Sequence, residues 1–329
     1  MEVPPVNRSP IILDSDPGLD DAVALQYLLG TGLWDLKAFT AVAGNVPLDH
    51  TYRNARALTR ALRIDGDVPV YRGVGRTLSR ISPDSGGFHG ENGLGDEIIP
   101  DSTAPHQTES AVQAILRLSK EYEGELTLVA TGPLTNVAAA LIEDPDLARR
   151  LKKLVFMGGA VHTGNITPVA EFNVWADPEA TDIVVTSGAP YTMVGLDATH
   201  AWRFTQGDLD TLVAAGPGQE LTANLMRHYL KSYDVNAGQP DCPLHDPLAV
   251  GVAADESFVT AADGTIVVEC ASELTRGQTV FLPADEARTY AYSDAIKART
   301  LQTGRVALGK GPRNFSAHFT ENLLRWPSA

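Results

Sequence analysis

Four aspartates lie within eight residues near the beginning of the sequence, in the stretch DSDPGLDD at 14–21. They are Asp14, Asp16, Asp20 and Asp21. The first two follow a short apolar run, where burying an unpaired carboxylate is costly. Pro17 and Gly18 predict a tight turn that folds the second pair back toward the first. Several carboxylate oxygens around one point are typical of a site for a hard cation, Ca²⁺ or Mg²⁺. The stretch offers no soft ligand, which disfavours zinc and copper.

The same aspartates also have a purely structural interpretation. Asp20 and Asp21 would fall in the first turn of a helix, where negative charge complements the helix dipole. Acidic first turns are common. This interpretation leaves Asp14 and Asp16 at the end of the apolar run without a role, so we favour the cation site.

Other polar residues follow predicted strands further along the chain. Asn45 follows the second strand and Thr131 the third, while Asn165, Glu171 and Asn173 follow the fourth. Ligands of open parallel sheets bind outside the carboxyl ends of the strands. Residues far apart in sequence are therefore expected to meet the aspartates at one edge of a sheet.

The elements that must position these residues alternate between short apolar strands and amphipathic helices. The predicted strands cover 10–14, 36–44, 126–132, 153–159 and 191–197, and the predicted helices cover 20–29, 50–62, 109–122, 134–142 and 177–188. This alternation predicts an α/β fold with an open, mainly parallel sheet flanked by helices.

After residue 200 the pattern becomes mostly helical. It predicts a helix in 218–233, late edge strands in 265–270 and 288–293, and a closing helix in 315–326. Two glycine-rich loops, 85–95 and 157–165, have the length and composition of functional loops. No repeat or long linker interrupts the chain, so residues 1–329 are expected to form one domain.

Composition limits the class of protein. The chain has 329 residues, of which 43% are hydrophobic, enough for a sizeable core. Its net charge of −15 argues against a nucleic-acid polymer or an anionic membrane as partner, but not against a small neutral substrate. Cys242 and Cys270 form neither a disulfide framework nor a zinc motif. The sequence has no signal-peptide pattern and no apolar run of about 18 residues, so we expect a cytoplasmic enzyme.

The stretch DSDPGLDDAVAL resembles the signature of the inosine–uridine nucleoside hydrolases, a family of Ca²⁺-dependent N-ribosyl hydrolases. Six further matches follow in the family's order: GN at 44–45, HGENGLG at 89–95, ATGPLTN at 130–136, FMGGA at 156–160, GNITPVAEFN at 164–173 and HDP at 245–247. The resemblance covers residues 11 to about 252, and the role of the later residues stays open. It implies a Rossmann-like nucleoside hydrolase fold and a homodimer or homotetramer. It also implies hydrolysis of purine or pyrimidine ribonucleosides to ribose and free base, in nucleoside salvage.

The resemblance further implies roles for individual residues. One Ca²⁺ per chain would be bound by the carboxylates of Asp16, Asp21 and Asp246 and by the main-chain carbonyl of Thr131. Asp20 would be the base that accepts a proton from a Ca²⁺-bound water, and His245 would face the leaving nucleobase. The remaining residues would bind the substrate: Asn45, Asn165, Glu171 and Asn173 the ribose hydroxyls, Met157 the sugar, and His89 from a nearby loop. Asp14 has no ligand role, and we interpret it as orienting the acidic turn.

Several of these residues have simpler interpretations. The stretch LHDP at 244–247 could be an ordinary helix start, with Asp246 as N-cap and Pro247 as first helical residue; we expect capping in addition to a metal role. His89 could be structural, and Tyr229 and Tyr233 could be core residues or a wall over the nucleobase. A thiol nucleophile in CPLH at 242–245 is disfavoured because nothing in the sequence orients the histidine.

Two other classes of protein remain as alternatives. Asp14-Ser-Asp16 after a strand resembles the opening of haloacid-dehalogenase-type phosphatases, but those have Thr or Val where this chain has Gly18, and Asp20 and Asp21 stay unexplained. A non-catalytic calcium- or ribose-binding protein would explain the ligands but not the placement of His245. Release of ribose from inosine, compared with release of phosphate from a phosphomonoester, distinguishes these classes.

Overall fold

A mainly parallel β-sheet forms the centre of the protein. The structure, a computed structural model, describes residues 8–78, 85, 87–238, 240–284 and 302–328. Within these residues the strands are β1 (Ser9–Ser15), β2 (Trp34–Ala41), β3 (Val70–Arg72), β4 (Thr127–Ala130), β5 (Lys153–Met157), β6 (Tyr191–Val194), β7 (Arg203–Phe204), β8 (Cys242–Pro243), β9 (Val259–Val268), β10 (Thr279–Pro283) and β11 (Gly304–Lys310).

Nine of these described strands form one sheet in the order β10-β9-β11-β6-β5-β4-β1-β2-β3. Every pair from β11 to β3 is parallel, whereas β9 runs antiparallel to both of its neighbours. The remaining two strands, β7 and β8, pair antiparallel in a small separate sheet. The predicted α/β class with a mainly parallel sheet is confirmed.

Residues 265–270 are predicted to form an edge strand, and this is wrong because their strand lies inside the sheet. These residues fall largely in β9, which hydrogen-bonds to β10 on one side and β11 on the other, so the edge strand is β10. Isolated apolar runs reveal a strand but not its partners, because register depends on distant residues. The second predicted late strand, 288–293, lies outside the described residues.

The helices cover both faces of the sheet. They are α1 (Leu19–Thr31), α2 (Leu48–Ala61), α3 (Ala111–Glu121), α4 (Thr135–Glu143), α5 (Leu147–Arg150), α6 (Phe172–Ala176), α7 (Pro178–Thr186), α8 (Leu196–Thr199), α9 (Gln206–Ala214), α10 (Glu220–Ala237), α11 (His245–Ala254) and α12 (Phe315–Leu323). The five helices predicted before residue 200 and the two predicted after it are all present, with ends shifted by a few residues. In the described part of the chain, no helix is both long enough and apolar enough to cross a membrane.

The side chains of β1 alternate between two hydrophobic cores, one on each face of the sheet. Ile11 and Leu13 belong to the core that contains the apolar residues of α1 and α11, whereas Ile12 belongs to the core that contains those of α3 and α4. Alternation along a strand places successive side chains on opposite faces. The strand is therefore fixed from both sides, which gives a rigid support to the polar residues that follow it.

The late strands hold a loop that begins at the end of β5. The Oγ1 of Thr279, in β10, accepts a hydrogen bond from the amide of Ala160 (2.9 Å) and donates one to its carbonyl (2.7 Å). Next to it, Gln278 forms an isolated antiparallel bridge with Ala170. The part of the chain after residue 252, whose role the sequence left open, thus positions the loop that carries Asn165 and precedes Glu171.

Candidate active site

A cavity of about 340 Å³ lies where the parallel strands end. Ten of the predicted site residues line it: Asp20, Asn45, His89, Thr131, Met157, Asn165, Glu171, Asn173, His245 and Asp246. The other lining residues are Ser85, Phe88, Ile166, Phe172, Tyr229 and Tyr233. The fold therefore brings together residues that the sequence separates by more than two hundred positions. Asp16 and Asp21 do not line the cavity, but both accept hydrogen bonds from Asn45, which does.

Three buried carboxylates, those of Asp20, Asp21 and Asp246, lie close together beside the cavity and form an acidic cluster. One oxygen of each of Asp20, Asp21 and Asp246 lies within 4.8 Å of the other two. Burial, and after it the negative charge of Asp20, holds the pKa of Asp246 well above its usual range. Burial and the charge of Asp21 raise the pKa of Asp20 to about 7. A nearby positive charge would lower the pKa of both Asp246 and Asp20, because it favours the ionised carboxylates.

The carboxylate of Asp16 packs against Gly44 and Gly132, and a side chain at either glycine would clash with it. A Cβ on Gly44 would lie 2.0 Å from its Oδ2, and a Cβ on Gly132 would lie 2.5 Å from its Oδ1. Oδ2 accepts a hydrogen bond from the amide of Asn45 (2.7 Å), whereas the buried Oδ1 has no hydrogen-bond partner among the described residues. Burial, and after it the charge of Asp21, holds the pKa of Asp16 well above its usual range. An unsatisfied buried carboxylate oxygen beside further carboxylates suits an oxygen-ligated hard cation.

Asp21 is fixed by hydrogen bonds to both of its oxygens. Oδ1 accepts from the hydroxyls of Ser15 (2.6 Å) and Thr131 (2.8 Å), and Oδ2 accepts from the amide of Gly18 (2.9 Å) and the side-chain amide of Asn45 (3.2 Å). The main-chain carbonyl of Thr131 accepts from Nδ2 of Asn173 (2.8 Å). A carbonyl oxygen has two lone pairs, so this contact leaves one for a cation.

Asp14 contributes to the support of the site rather than to the cavity lining. Its Oδ1 accepts from Oγ1 of Thr40 (2.5 Å) and from Nδ2 of Asn136 (2.7 Å), and burial raises its pKa to about 7. Asn136 also accepts from the amide of Val74 (2.8 Å). Asp14 therefore ties β1 to β2 and α4, which agrees with an orienting role.

The polar residues after β5 stabilise their own loop. Glu171 caps α6 and accepts hydrogen bonds from the amides of Gly159 (2.8 Å), Asn173 (2.9 Å) and Val174 (3.2 Å), while burial raises its pKa to about 7. Asn165 is exposed, and its Oδ1 accepts from the amide of Phe172 (3.0 Å). These contacts hold the side chains of Asn165, Glu171 and Asn173 at the cavity wall before any ligand binds.

An aromatic wall faces the acidic cluster. Tyr229 and Tyr233 lie one turn apart on α10, and both line the cavity rather than serving only as core. The hydroxyl of Tyr229 donates to Oδ2 of Asp20 (3.0 Å), and that of Tyr233 lies 2.8 Å from Nε2 of His245. The ring of Phe88 contacts both tyrosines edge-on, at centroid distances of 6.1 and 5.2 Å. The wall therefore combines flat aromatic rings with two hydroxyls, which contact Asp20 and His245.

The tautomer of His89 follows from its contacts. Its Nδ1 accepts the backbone N–H of Leu19 (3.1 Å), so the ring proton is on Nε2. Burial lowers the pKa of His89 to about 4, which leaves the ring neutral. The ring stacks on Tyr229 with 29° between the planes. His89 therefore lines the cavity as a neutral side chain in a defined orientation.

His245 is the first residue of α11, and hydroxyls contact both of its ring nitrogens. Nδ1 lies 2.8 Å from Oγ1 of Thr199, and Nε2 lies 2.8 Å from the hydroxyl of Tyr233. Burial, and after it the neighbouring His200, holds the pKa of His245 well below its usual range. Cys242, by contrast, is buried and its Sγ lies 3.9 Å from the carbonyl of Phe204, so it does not form a thiol–imidazole pair with this histidine.

The predicted capping role of Asp246 is wrong. The N-cap of α11 is Leu244, without a side-chain hydrogen bond, and Asp246 already lies inside the first turn. Its carboxylate belongs to the acidic cluster instead. Pro247 still falls in the first turn, where the missing N–H has no intrahelical partner to lose.

Sequence reasoning missed Thr199 and Phe88 as residues of the site. Phe88 has a weak signal, because it precedes His89 in a glycine-rich loop. Thr199 has none, since its importance depends on a contact with a residue 46 positions away.

Comparison with known proteins connects this geometry to a family. The family described as inosine-uridine preferring nucleoside hydrolase matches residues 11–307. The chain is 39% identical over 274 residues to the pyrimidine-specific ribonucleoside hydrolase RihA of Enterobacter sp. (strain 638), covering 82% of this chain and 87% of that protein. The structure of a purine-preferring ribonucleoside hydrolase from Gardnerella vaginalis is 35% identical, with a TM-score of 0.86 over 96% of this chain and 98% of that one. The plant nucleoside hydrolase PpNRh1 is 30% identical, with a TM-score of 0.88 over 97% of this chain and 99% of that one.

Proposed function

The chain belongs to the inosine–uridine preferring nucleoside hydrolase family, and on that premise we propose how its cavity hydrolyses ribonucleosides. The enzyme is a hydrolase of N-glycosyl compounds that releases free base from ribonucleosides. The observation that carries the mechanism is the convergence of the acidic cluster, the polar loop after β5 and the aromatic wall on one cavity. Family membership sets aside the phosphatase and the non-catalytic binding protein.

We propose Ca²⁺ as the cation, one per chain, with Asp16, Asp21, Asp246 and the carbonyl of Thr131 as ligands. The all-oxygen donor set and the unsatisfied Oδ1 of Asp16 support this choice. When bound, the cation would make a neighbouring water more acidic and would bind two sugar hydroxyls. The residues around it hold these ligands in place in advance, since Asn45, Ser15 and Gly18 each donate a hydrogen bond to Asp16 or Asp21.

We propose that Asp20 accepts the proton of the attacking water. The water then gives its hydroxyl to the anomeric carbon while the bond to the base nitrogen breaks and its electron pair leaves with the base. The transition state resembles an oxocarbenium ion, as in glycoside hydrolysis generally. The hydrogen bond from Tyr229 orients the carboxylate of Asp20. Asp16 is a second candidate for the base, because its Oδ1 has no protein donor.

We propose that His245 and Tyr233 assist the departing base. Their hydrogen-bonded pair lines the same cavity as the loop proposed to hold the ribose. The base leaves with developing negative charge, which a positioned donor stabilises. His89 and Phe88 complete the wall on the same side, and the flat faces of Tyr229 and Phe88 suit a nucleobase.

We expect ribonucleosides to be hydrolysed far faster than 2′-deoxyribonucleosides. Three of the proposed ribose contacts, Asn45, Glu171 and Asn173, are buried polar groups, and a substrate that lacks one hydroxyl leaves such groups unpaired, at a cost of about 1–3 kcal/mol or more. Inosine and 2′-deoxyinosine compared by kcat/KM measure the difference. Comparable values for the two would contradict the proposed ribose contacts.

We propose that both purine and pyrimidine ribonucleosides are substrates. The relatives include a protein named pyrimidine-specific at 39% identity and one named purine-preferring at 35%, so neither class is favoured by similarity alone. A panel of inosine, guanosine, uridine and cytidine, assayed with and without a chelator, tests substrate range and metal dependence together. We expect activity on at least one member of each class, loss of all activity with chelator, and recovery with added Ca²⁺. Hydrolysis that persists after exhaustive chelation would contradict the metal-assisted mechanism.

Further expectations extend the proposal beyond the site. The enzyme would act in nucleoside salvage in the cytoplasm, as a homodimer or homotetramer, with the chain forming one domain. Its partner would be a small-molecule ribonucleoside substrate and neither a nucleic-acid polymer nor a membrane, since the net charge of −15 disfavours both of these. These statements stay predictions.

A further inference from the structure

The ring of His245 is held between two hydroxyl groups. Oγ1 of Thr199 lies 2.8 Å from Nδ1 on one side, and the hydroxyl of Tyr233 lies 2.8 Å from Nε2 on the other. Thr199 is fully buried, and His245 is 6% exposed. Because each hydroxyl can donate or accept, the two distances alone leave the direction of this hydrogen-bond chain undetermined.

A neutral imidazole has one ring proton, so the direction depends on which nitrogen carries it. A proton on Nδ1 would be donated to Thr199, and Tyr233 would then have to donate its own proton to Nε2. A proton on Nε2 would be donated to Tyr233, and the hydroxyl proton of Tyr233 would stay available to a ligand in the cavity. Only the second arrangement directs donors toward the departing base.

The surroundings of Thr199 decide between the two arrangements. Its hydroxyl lies at the end of α8, and among the described residues its only hydrogen-bond partner is Nδ1 of His245. If Nδ1 carried the proton, the hydroxyl of Thr199 would accept it and its own proton would be buried without an acceptor, which is costly. Donation from Thr199 to Nδ1 avoids this cost and leaves the ring proton on Nε2.

We propose that Thr199 is a positioning residue whose hydroxyl fixes the ring proton of His245 on Nε2, so that His245 donates to Tyr233 and Tyr233 presents its own proton to the leaving nucleobase. This inference rests on the proposed role of His245 in assisting the base. Thr199 itself does not line the cavity and touches the substrate only through the histidine. The inference adds a specific requirement for a hydroxyl at position 199.

The direct test is the tautomer of His245 in the unmodified protein. Nitrogen NMR of protein with ¹⁵N-labelled histidine, with His245 assigned by comparison with His245→Gln, distinguishes a protonated from an unprotonated Nδ1. We expect an unprotonated Nδ1 in the wild type and in Thr199→Ser, and loss of this preference in Thr199→Val. A wild-type protein with its proton on Nδ1 would overturn the inference without any assay of activity.

The kinetic test uses two substrates with different leaving groups. Thr199→Val is expected to lower kcat on inosine by roughly 10- to 100-fold, by analogy with the loss of residues that orient metal-bound histidines. It should leave kcat on 4-nitrophenyl riboside nearly unchanged, because nitrophenolate is stable as an anion and needs no proton donor. Thr199→Ser should retain the wild-type ratio of the two rates, since it keeps the hydroxyl. Thr59→Val is the matched control: Thr59 is also fully buried, but its hydroxyl donates to the carbonyl of Arg56, away from the cavity.

Each failure has a different meaning. If His245→Ala changes the ratio of the two rates while Thr199→Val does not, the inference about Thr199 is wrong and the role of His245 stands. If neither variant changes the ratio, the proposed role of His245 fails and the inference fails with it. An equal loss on both substrates for Thr199→Val but not for Thr59→Val would also overturn the inference, since it would indicate a general disturbance of the cavity.

Discussion

Alanine in place of Asp16 or Asp246 is expected to abolish Ca²⁺ binding and nucleoside hydrolysis together. Each substitution removes a buried carboxylate from a site whose charge would be neutralised by the cation. Calorimetric titration with Ca²⁺ and an inosine assay on the same preparations measure both losses. Asp210→Ala is a suitable control, because Asp210 is an exposed residue of α9 that does not line the cavity and whose carboxylate accepts a hydrogen bond from Gln206, and it should retain both properties.

Asp20→Ala should behave differently from these two variants. As the proposed base it should keep most Ca²⁺ binding and lose roughly 10²-fold or more in rate, the usual contribution of a positioned proton acceptor. If it loses Ca²⁺ as completely as Asp16→Ala does, its assignment as base is wrong. Comparison of Asp16→Asn with Asp20→Asn then identifies the base, because asparagine keeps an oxygen ligand but accepts a proton poorly. The variant that retains the cation and loses the rate has lost the base.

Removal of the His245 side chain is expected to slow the hydrolysis of natural nucleosides but not that of a riboside with an activated leaving group. We expect His245→Ala to reduce the turnover of inosine by roughly 10²- to 10⁴-fold, the range for general-acid assistance. Hypoxanthine leaves with developing negative charge that Tyr233 and His245 would stabilise, whereas nitrophenolate needs no such help. Steady-state rates on inosine and 4-nitrophenyl riboside provide the comparison.

The neighbouring Asp246 makes this experiment informative. If the substitution acted by disturbing the acidic cluster, both substrates would slow by the same factor, and Ca²⁺ affinity would fall in the titration. Such a result would remove His245 from the leaving-group role and leave His89 and Tyr233 as candidates. His89 has a donor for this role, because its Nδ1 accepts from the amide of Leu19 and its ring proton therefore lies on Nε2.

The parallel half of the fold could be predicted from sequence because its signals are local. β1 is a short apolar run that ends in carboxylates, and α1 starts immediately after a Pro-Gly turn. The helix that contains Pro178 is capped by Asp177, whose carboxylate accepts a hydrogen bond from the amide of Ala180, a pattern that is visible in the local sequence. The late antiparallel strands were harder, because β9 is interrupted by polar residues and its partners follow at a distance.

The charged part of the site could be predicted from sequence for a related reason. Carboxylates and amides at strand ends are conspicuous, and the topology of a parallel sheet brings strand ends together. Thr199 could not be recognised in this way, because a threonine at the end of a short helix is unremarkable until its contact with His245 is known. Asn173 could be recognised as a site residue, but its contact with the carbonyl of Thr131, 42 positions away, could not be predicted in this way.

The contact between Thr279 and Ala160 has a consequence for biosynthesis. Every residue proposed to take part in the chemistry lies in the first 246 positions, yet the loop that carries Asn165 is held by a strand that follows them. A nascent chain that has synthesised β1 to β6 and the start of α11 therefore has every carboxylate of the acidic cluster before it has a fixed sugar-binding wall. Competence for turnover would arise only when the last strands have left the ribosome and docked, so a product that ends before β10 would lack the support of its sugar-binding loop.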